Sequence, residues 1–211
     1  PYPIGTEQIE RFRRDGFIRL KDVFDADALA HYGSEIARLT IALNRQTTPM
    51  EERSTYDKAF LQVMNLWRQG GPARGFVFGK RLAGIATALL ETRGVRLYHD
   101  QSLYKEPGGG ITPAHADQYY WPLASDRCIT AWVPLQAVPR DMGPLAFFAG
   151  SQHVEFGRDL GISDESERAI TANMEAHGFP IVDEPFDLGE VSFHLGWTFH
   201  RAGPNRSQTP R

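Results

Sequence analysis

At 211 residues, with 41% hydrophobic and 23% charged residues, the chain has the size and balance of one globular domain, which excludes a disordered or membrane-spanning class. A net charge of -3 with scattered Lys and Arg leaves no basic footprint for nucleic acid or an anionic membrane. The single cysteine, Cys128, cannot close an intrachain disulfide, and Pro1 to Thr6 carries no charged and apolar leader, so the expected compartment is the reducing cytoplasm.

In chain order, a helix is expected from Thr6, a hydroxyl residue suited to cap it, through Ile9, Phe12 and Arg13 to the stop at Asp15-Gly16. A short strand follows over residues 17–20. Asp25 is the candidate cap of a second helix, in which Leu29, Tyr32, Ile36 and Leu39 recur at intervals of three and four. Residues 43–56 read as a polar loop around Pro49. Residues 58–68 and 82–92 read as two further helices, separated by the breaker Gly70-Gly71-Pro72. From Val95 the pattern changes to short β-branched and aromatic runs between Gly and Pro, with candidate strands at 95–105, 111–117, 128–138, 144–149, 190–194 and 197–201. Regular short strands of this kind suggest a sandwich or jelly-roll barrel. The polar segment 157–180, with a short helix at 163–177, is expected to lie over the barrel mouth.

Candidate chemistry concentrates at Thr112-Pro113-Ala114-His115-Ala116-Asp117. On a strand, residues i and i+2 project from one face, so His115 and Asp117 point together into the barrel. An imidazole and a carboxylate are two of the three donors in the facial triad of non-haem iron oxygenases, which leaves coordination positions open for small molecules. The third donor has to come from another strand. His194 and His200 both qualify, and spacing alone does not choose between them.

The surrounding segments resemble the phytanoyl-CoA dioxygenase family of iron(II) and 2-oxoglutarate enzymes over most of the chain. Phe12-Arg13-Arg14-Asp15-Gly16-Phe17-Ile18, then Val23-Phe24-Asp25, is similar to the family's opening helix, glycine turn and first strand. Leu97 to Gly110 resembles the strand and glycine turn that lead into the iron motif. Ala131-Trp132-Val133-Pro134-Leu135 and the run from Gly143-Pro144-Leu145 to Gly150-Ser151-Gln152-His153 match later family elements. His200-Arg201-Ala202-Gly203-Pro204-Asn205-Arg206-Ser207 is similar to the distal histidine segment, in which an arginine follows eleven positions on, here Arg211.

The resemblance implies a mainly β fold with flanking α-helices and a double-stranded β-helix (jelly-roll, cupin-like) core. It implies one domain over 1–211, with helical support over about 1–93 and the barrel over about 94–211. The family continues through another strand after the arginine, so that strand is expected to be missing here. His200 has the matching arginine and becomes the third metal ligand with His115 and Asp117, while His194 becomes a packed or hydrogen-bonded neighbour. By the same resemblance, Arg211 binds the distal carboxylate of 2-oxoglutarate through its guanidinium fork. Arg206 is the fallback. Trp132, Gln101 and Lys105 line or touch the co-substrate pocket, and Gln62 and Asn65 reach it from a helix. The family's small hydroxyl residue two positions after the distal histidine is Ala202 here, so one co-substrate hydrogen bond is lost or supplied elsewhere.

The reaction so implied consumes 2-oxoglutarate and O2, releases succinate and CO2, and is supported in vitro by ascorbate. An intact Asp117, in place of the Gly or Ala of related halogenases, points to hydroxylation, desaturation or ring formation. The expected partner is a small, partly apolar molecule, in a secondary-metabolism setting, walled by Gln118-Tyr119-Tyr120-Trp121-Pro122. No acyl-CoA phosphate clamp stands out, His99 and His153 have no assigned role, and the oligomeric state is not set by the sequence. Two other classes compete with this reading. A cupin-like metalloenzyme that does not use 2-oxoglutarate would be indifferent to loss of Arg211, and a non-catalytic jelly-roll binding module would show no turnover.

Overall fold

The computed structural model describes residues 1–211. Helix α1 (Thr6–Asp15) is capped by Gly5 rather than by Thr6; the Gly5 N–H donates to Gln8 Oε1 at 2.7 Å. Gly16 ends the helix with φ +77°, and a side chain there would collide with Gln152 and Thr198, so glycine is required on both counts. Strand β1 (Phe17–Leu20) follows directly. Helix α2 (Ala26–Leu43) is capped as expected: Asp25 accepts from the Ala28 N–H at 2.8 Å, and Leu29, Ile36 and Leu39 are buried.

The expected helix over residues 58–68 is absent. Helix α3 (Thr55–Ala59) occupies the end of the polar loop, and strand β2 (Leu61–Met64) takes the place of the helix by pairing antiparallel with β3 (Gln101–Tyr104). The run Leu61-Gln62-Val63-Met64 alternates buried and open positions, and a pairing partner forty residues away decides for the strand. Asn65, at φ 57°, then turns the chain. The Gly70-Gly71-Pro72 breaker also starts an element: α4 (Gly71–Val77) has Pro72 in its first turn, and α5 (Lys80–Leu89) follows.

Four of the later strands are shorter than expected, β4 (Thr112–His115), β5 (Ile129–Trp132), β6 (Leu145–Phe148) and β9 (His200–Ala202); β8 (Val191–Leu195) has the expected length, and β7 (Ile181–Val182) is a strand the sequence did not announce. They form antiparallel sheets in the orders β1-β8-β5 and β4-β9-β6-β7, beside the β2-β3 pair. With six α-helices among these short strands, the chain is mixed α/β rather than mainly β.

Alternation along the strands explains how the layers stack. Ile18 and Phe193 point outward, where they pack with Phe12 of α1 and Ile85 and Leu89 of α5. Phe17, next to Ile18, points the other way and stacks on Phe147 of β6, with ring centroids 4.3 Å apart at 11°. The two larger sheets therefore face one another across this stack. On the far side of the four-stranded sheet, Ala114, Ala116, Phe148 and Phe199 pack against Ile170 and Met174 of α6 (Asp164–Ala176). The insertion's helix thus covers the back of a sheet, and only the start of the segment, at Ile162, reaches the cavity. No helix is long and apolar enough to cross a membrane.

Phe147 also abuts the rings of His194 and His200, at 5.3 and 6.1 Å. Phe147→Ala is expected to lower unfolding stability by roughly 3–5 kcal/mol, the usual cost of truncating a fully buried Phe. Urea denaturation measures it, and a loss below about 1 kcal/mol would contradict the central place given to the stack.

Candidate metal centre

His115 and His200 are directly opposite each other in the β4-β9 ladder. Both are buried, and their ring centroids lie 4.3 Å apart. Each ring is oriented by the same local device: His115 Nδ1 donates to the Pro113 carbonyl at 2.7 Å, and His200 Nδ1 donates to the Thr198 carbonyl at 2.9 Å. A neutral imidazole that donates from Nδ1 keeps a lone pair on Nε2. Both Nε2 atoms lie 3.6 Å from Asp117 Oδ1, and one ligand atom from each of the three residues falls within 4.8 Å of the others. Asp117 is not on the strand. It opens a 3-10 turn (Asp117–Tyr120) just past the end of β4, so its carboxylate reaches the pair by the chain's exit path rather than by strict alternation.

The other carboxylate oxygen faces the opposite sheet. Thr130 Oγ1 on β5 donates to Asp117 Oδ2 at 2.8 Å, and His194 Nε2 on β8 donates to the same oxygen at 3.1 Å. Thr130 and His194 are themselves paired across the β5-β8 ladder. His194 is 1% exposed and commits its Nε2 to the aspartate, and the group whose donor atoms converge is His115, Asp117 and His200. Thr130 was not a sequence candidate. Its position two before Trp132 on a strand places both on one face, and that spacing was the available signal.

Burial opposes ionisation of Asp117, but the surrounding imidazoles outweigh it, and its pKa lies well below the ordinary carboxylate value. Burial, with His115 beside it, holds the His200 pKa well below that of a free histidine. An anionic oxygen and two neutral imidazole nitrogens converging from one side form a donor set that fits iron(II) or a similar divalent ion.

A cavity of about 610 Å³ opens onto this cluster. Trp132, Arg211, Gln62, Gln101 and Asn65 line it together with His115, Asp117, His194 and His200. Gln62 arrives from β2 and not from a helix, and its Nε2 donates to Gln101 Oε1 at 2.6 Å. Asn65 stands at the turn after β2. The Arg211 guanidinium lies 5.3 Å from the Trp132 ring centroid, and its buried Nε has no hydrogen-bond partner. Burial brings its pKa down to about 10. Lys105 does not line the cavity. It exchanges both backbone hydrogen bonds with Arg211, at 2.7 and 2.9 Å, and its fully buried ammonium donates to the Gly110 carbonyl. Arg206 is exposed, outside the cavity, and its backbone N–H donates to Asp141. Of the aromatic run after the metal motif, Tyr120 and Trp121 line the cavity, whereas Gln118 is buried and donates to Ser125. Tyr56, Phe60, Tyr98 and Arg68 also line it and were not sequence candidates. Their distance in sequence from the metal motif hides them.

Glu167 of α6 ties the two histidine strands together from behind. Its Oε2 accepts the Ala114 N–H at 2.7 Å, where the β4-β9 register shifts, and its Oε1 accepts from Arg201 at 2.8 Å. Ala114 precedes His115 and Arg201 follows His200.

Burial, with the Arg211 guanidinium beside it, lowers the Lys105 pKa to about 7. In an unfolded chain a lysine keeps its proton to about pH 10.4. Between these values the unfolded state holds a proton that the folded state has shed, so this side chain's contribution to stability rises with pH through that window and is lowest below it. Lys105→Met is therefore expected to be stabilised relative to the parent near pH 6, with the difference shrinking by roughly 2–3 kcal/mol towards pH 9. Paired urea melts across that range measure it, and a difference independent of pH would contradict the burial of a titrating ammonium.

The phytanoyl-CoA dioxygenase (PhyH) family matches residues 12–211. The ectoine dioxygenase of Stutzerimonas stutzeri (strain A1501) is 26% identical over 205 residues, covering 92% of this chain and 64% of that protein. The chain thus spans slightly less than two thirds of this relative. Among solved structures, the epimerase SnoN in complex with Fe3+, alpha ketoglutarate and nogalamycin RO is similar with a TM-score of 0.79 and 27% identity, covering 96% of this chain and 78% of SnoN. EctD from S. alaskensis with bound Fe gives a TM-score of 0.77 and 25% identity, covering 99% of this chain and 74% of EctD. With a family match over nearly its whole length, the chain belongs to the phytanoyl-CoA dioxygenase (PhyH) family.

Proposed function

We propose that the protein is an iron(II)- and 2-oxoglutarate-dependent dioxygenase that oxidises a small organic molecule. The observation that carries this reading is that one cavity holds both a convergent His115, Asp117 and His200 donor set and an arginine with a buried, unpartnered Nε. Similarity to SnoN, which is described with Fe3+ and alpha ketoglutarate, supports it. The two facing antiparallel sheets support a jelly-roll reading of the core.

In this reading His115, Asp117 and His200 hold the metal, and Arg211 pairs with the distal carboxylate of 2-oxoglutarate. When bound, the metal and co-substrate would supply the oxidative chemistry, in which 2-oxoglutarate and O2 give succinate and CO2 and the second oxygen atom ends in the substrate on hydroxylation or in water on another two-electron oxidation. The chain's own contribution is orientation. Pro113 and Thr198 fix the tautomers of the two ligand histidines, and Thr130 and His194 occupy Asp117 Oδ2 so that Oδ1 faces the metal position. Trp132 packs beside the Arg211 guanidinium and screens it from water, which strengthens its pairing with an anion. Gln62, Gln101 and Asn65 present amides to the same space. Lys105 acts from behind the wall, by holding the Arg211 backbone. Asp117 leaves no room for a halide in its place, so the expected outcome is hydroxylation or another oxidation without halogen transfer.

Anaerobic titration of the iron(II)-loaded protein with 2-oxoglutarate is expected to develop the weak visible charge-transfer band of the chelate. Metal bound without that band would remove this reaction class. Arg211→Ala is expected to raise the 2-oxoglutarate Kd by about 10- to 100-fold, the worth of a charged hydrogen-bonded pair, with metal affinity unchanged. His194→Ala is expected to do the reverse, weakening metal binding by about 10- to 100-fold as outer-shell substitutions do. Calorimetric metal titration separates the two, and equal metal affinity in His194→Ala and the parent would show that Asp117 needs no second support.

A further inference from the structure

The cavity is larger than its metal end requires, and the chemistry of its rim is one-sided. Asp117 is the only carboxylate among the lining residues, and it is committed to His194, Thr130 and the metal position. Lining cations are Arg211, assigned above to the co-substrate, and Arg68, which is exposed at the rim with no carboxylate partner. The Arg68 guanidinium lies 5.6 Å from the ring centroid of its neighbour Trp67. This is a chain with more acidic than basic residues, 26 against 23, and the acid beside this rim, Asp100, has its carboxylate taken up by the Leu66 and Trp67 N–H groups.

The rim's neutral polar groups have the same bias. Tyr120 Oη accepts the Ile162 N–H at 2.7 Å, which leaves its own proton to donate. Trp67 Nε1, which can only donate, uses Asn65 Oδ1 at 3.2 Å, so the amide N–H groups are what this lining residue has left to offer. Burial raises the Tyr120 phenol pKa, so the proton stays in place at working pH. Beside these donors, Tyr98, His99 and Trp121 form a contiguous aromatic group with ring centroids 5.2 to 6.0 Å apart, and Tyr98 is 53% exposed. Exposed rings at a cavity rim offer flat apolar faces to a planar molecule.

We infer that the primary substrate is a planar, oxygen-rich molecule carrying an anionic group, with its ring system against Tyr98, His99 and Trp121, its anion on Arg68, and its neutral oxygens on Tyr120 and Asn65. A cationic substrate finds no free carboxylate among the lining residues and meets the charge of Arg68. The inference deepens the dioxygenase reading and rests on it for the identity of the site, while the rim chemistry is tested separately.

The probes are naphthalene-2-carboxylate, its neutral carboxamide, and 2-naphthylmethylammonium. Binding is read by equilibrium dialysis to the iron(II) protein under anaerobic conditions, with 2-oxoglutarate saturating so that Arg211 is occupied. The carboxylate is expected to bind about tenfold more tightly than the amide, and the ammonium most weakly of the three. In Arg68→Gln that ratio falls to about one while amide affinity and the 2-oxoglutarate charge-transfer band stay as in the parent. Equal binding of acid and amide, preference for the ammonium, or a preference that survives Arg68→Gln would overturn the inference. The same comparison in Arg211→Gln without 2-oxoglutarate reads the rim independently. A parent protein that fails to bind 2-oxoglutarate therefore sinks the functional reading without deciding this one.

Discussion

Asp117 leaves β4 at the point where the two larger sheets come closest to sharing a side chain, and its two oxygens answer to different sheets. Oδ1 faces His115 and His200 on β4 and β9, while Oδ2 accepts from Thr130 and His194 on β5 and β8. The spacing of the sheets therefore fixes how the carboxylate is presented. The Phe17–Phe147 stack holds that spacing at one end, and Phe147 continues against His194 and His200. Packing and polar geometry are in this sense one constraint. A shift of a few tenths of an ångström between the sheets would have to be absorbed either by the aromatic stack or by the hydrogen bonds to Asp117, because interiors at crystal-like density have little slack.

Charge inside the cavity is arranged in the same economical way. One anion, Asp117, sits among imidazoles, and one buried cation, Arg211, sits against Trp132 without an acid to neutralise it. A partly buried guanidinium whose Nε has no partner opposes folding unless something anionic joins it. Lys105 adds a second cationic side chain behind it, and burial has already moved that group towards neutrality. This local surplus of positive character stands in a chain of net charge -3, which marks it as a property of the site and not of the composition.

The sequence was most legible where a residue's neighbours decide its structure. Gly16 stops α1, Asp25 caps α2, and the apolar spacing of Leu29, Ile36 and Leu39 survives intact, because helix ends and faces are local matters. It was least legible where a distant partner decides. Residues 61–64 form a strand because β3 lies beside them, and nothing within the segment announces that partner. The motif points to His115 and Asp117, which do converge with His200, yet Asp117 reaches its position from a turn and not by strand alternation. Thr130 and Arg68 carry no motif, and only their placement in three dimensions brings them to the cavity. His194 and His200 look alike in sequence. The chemistry that separates them is which atom each Nε2 faces.

Glu167 gives the insertion a different standing from the one its polar composition suggests. By accepting from the Ala114 N–H and from Arg201, it spans the neighbours of His115 and His200 from the outer face of their sheet. The active cavity and the helix behind it are consequently not separable modules. Residues 157–180 cannot be trimmed, or exchanged for the corresponding segment of another family member, as though they were decoration. A graft that kept the whole inner surface but lost this one carboxylate would leave the Ala114 N–H and Arg201 without their partner, beside both His115 and His200 and on the opposite side of the sheet.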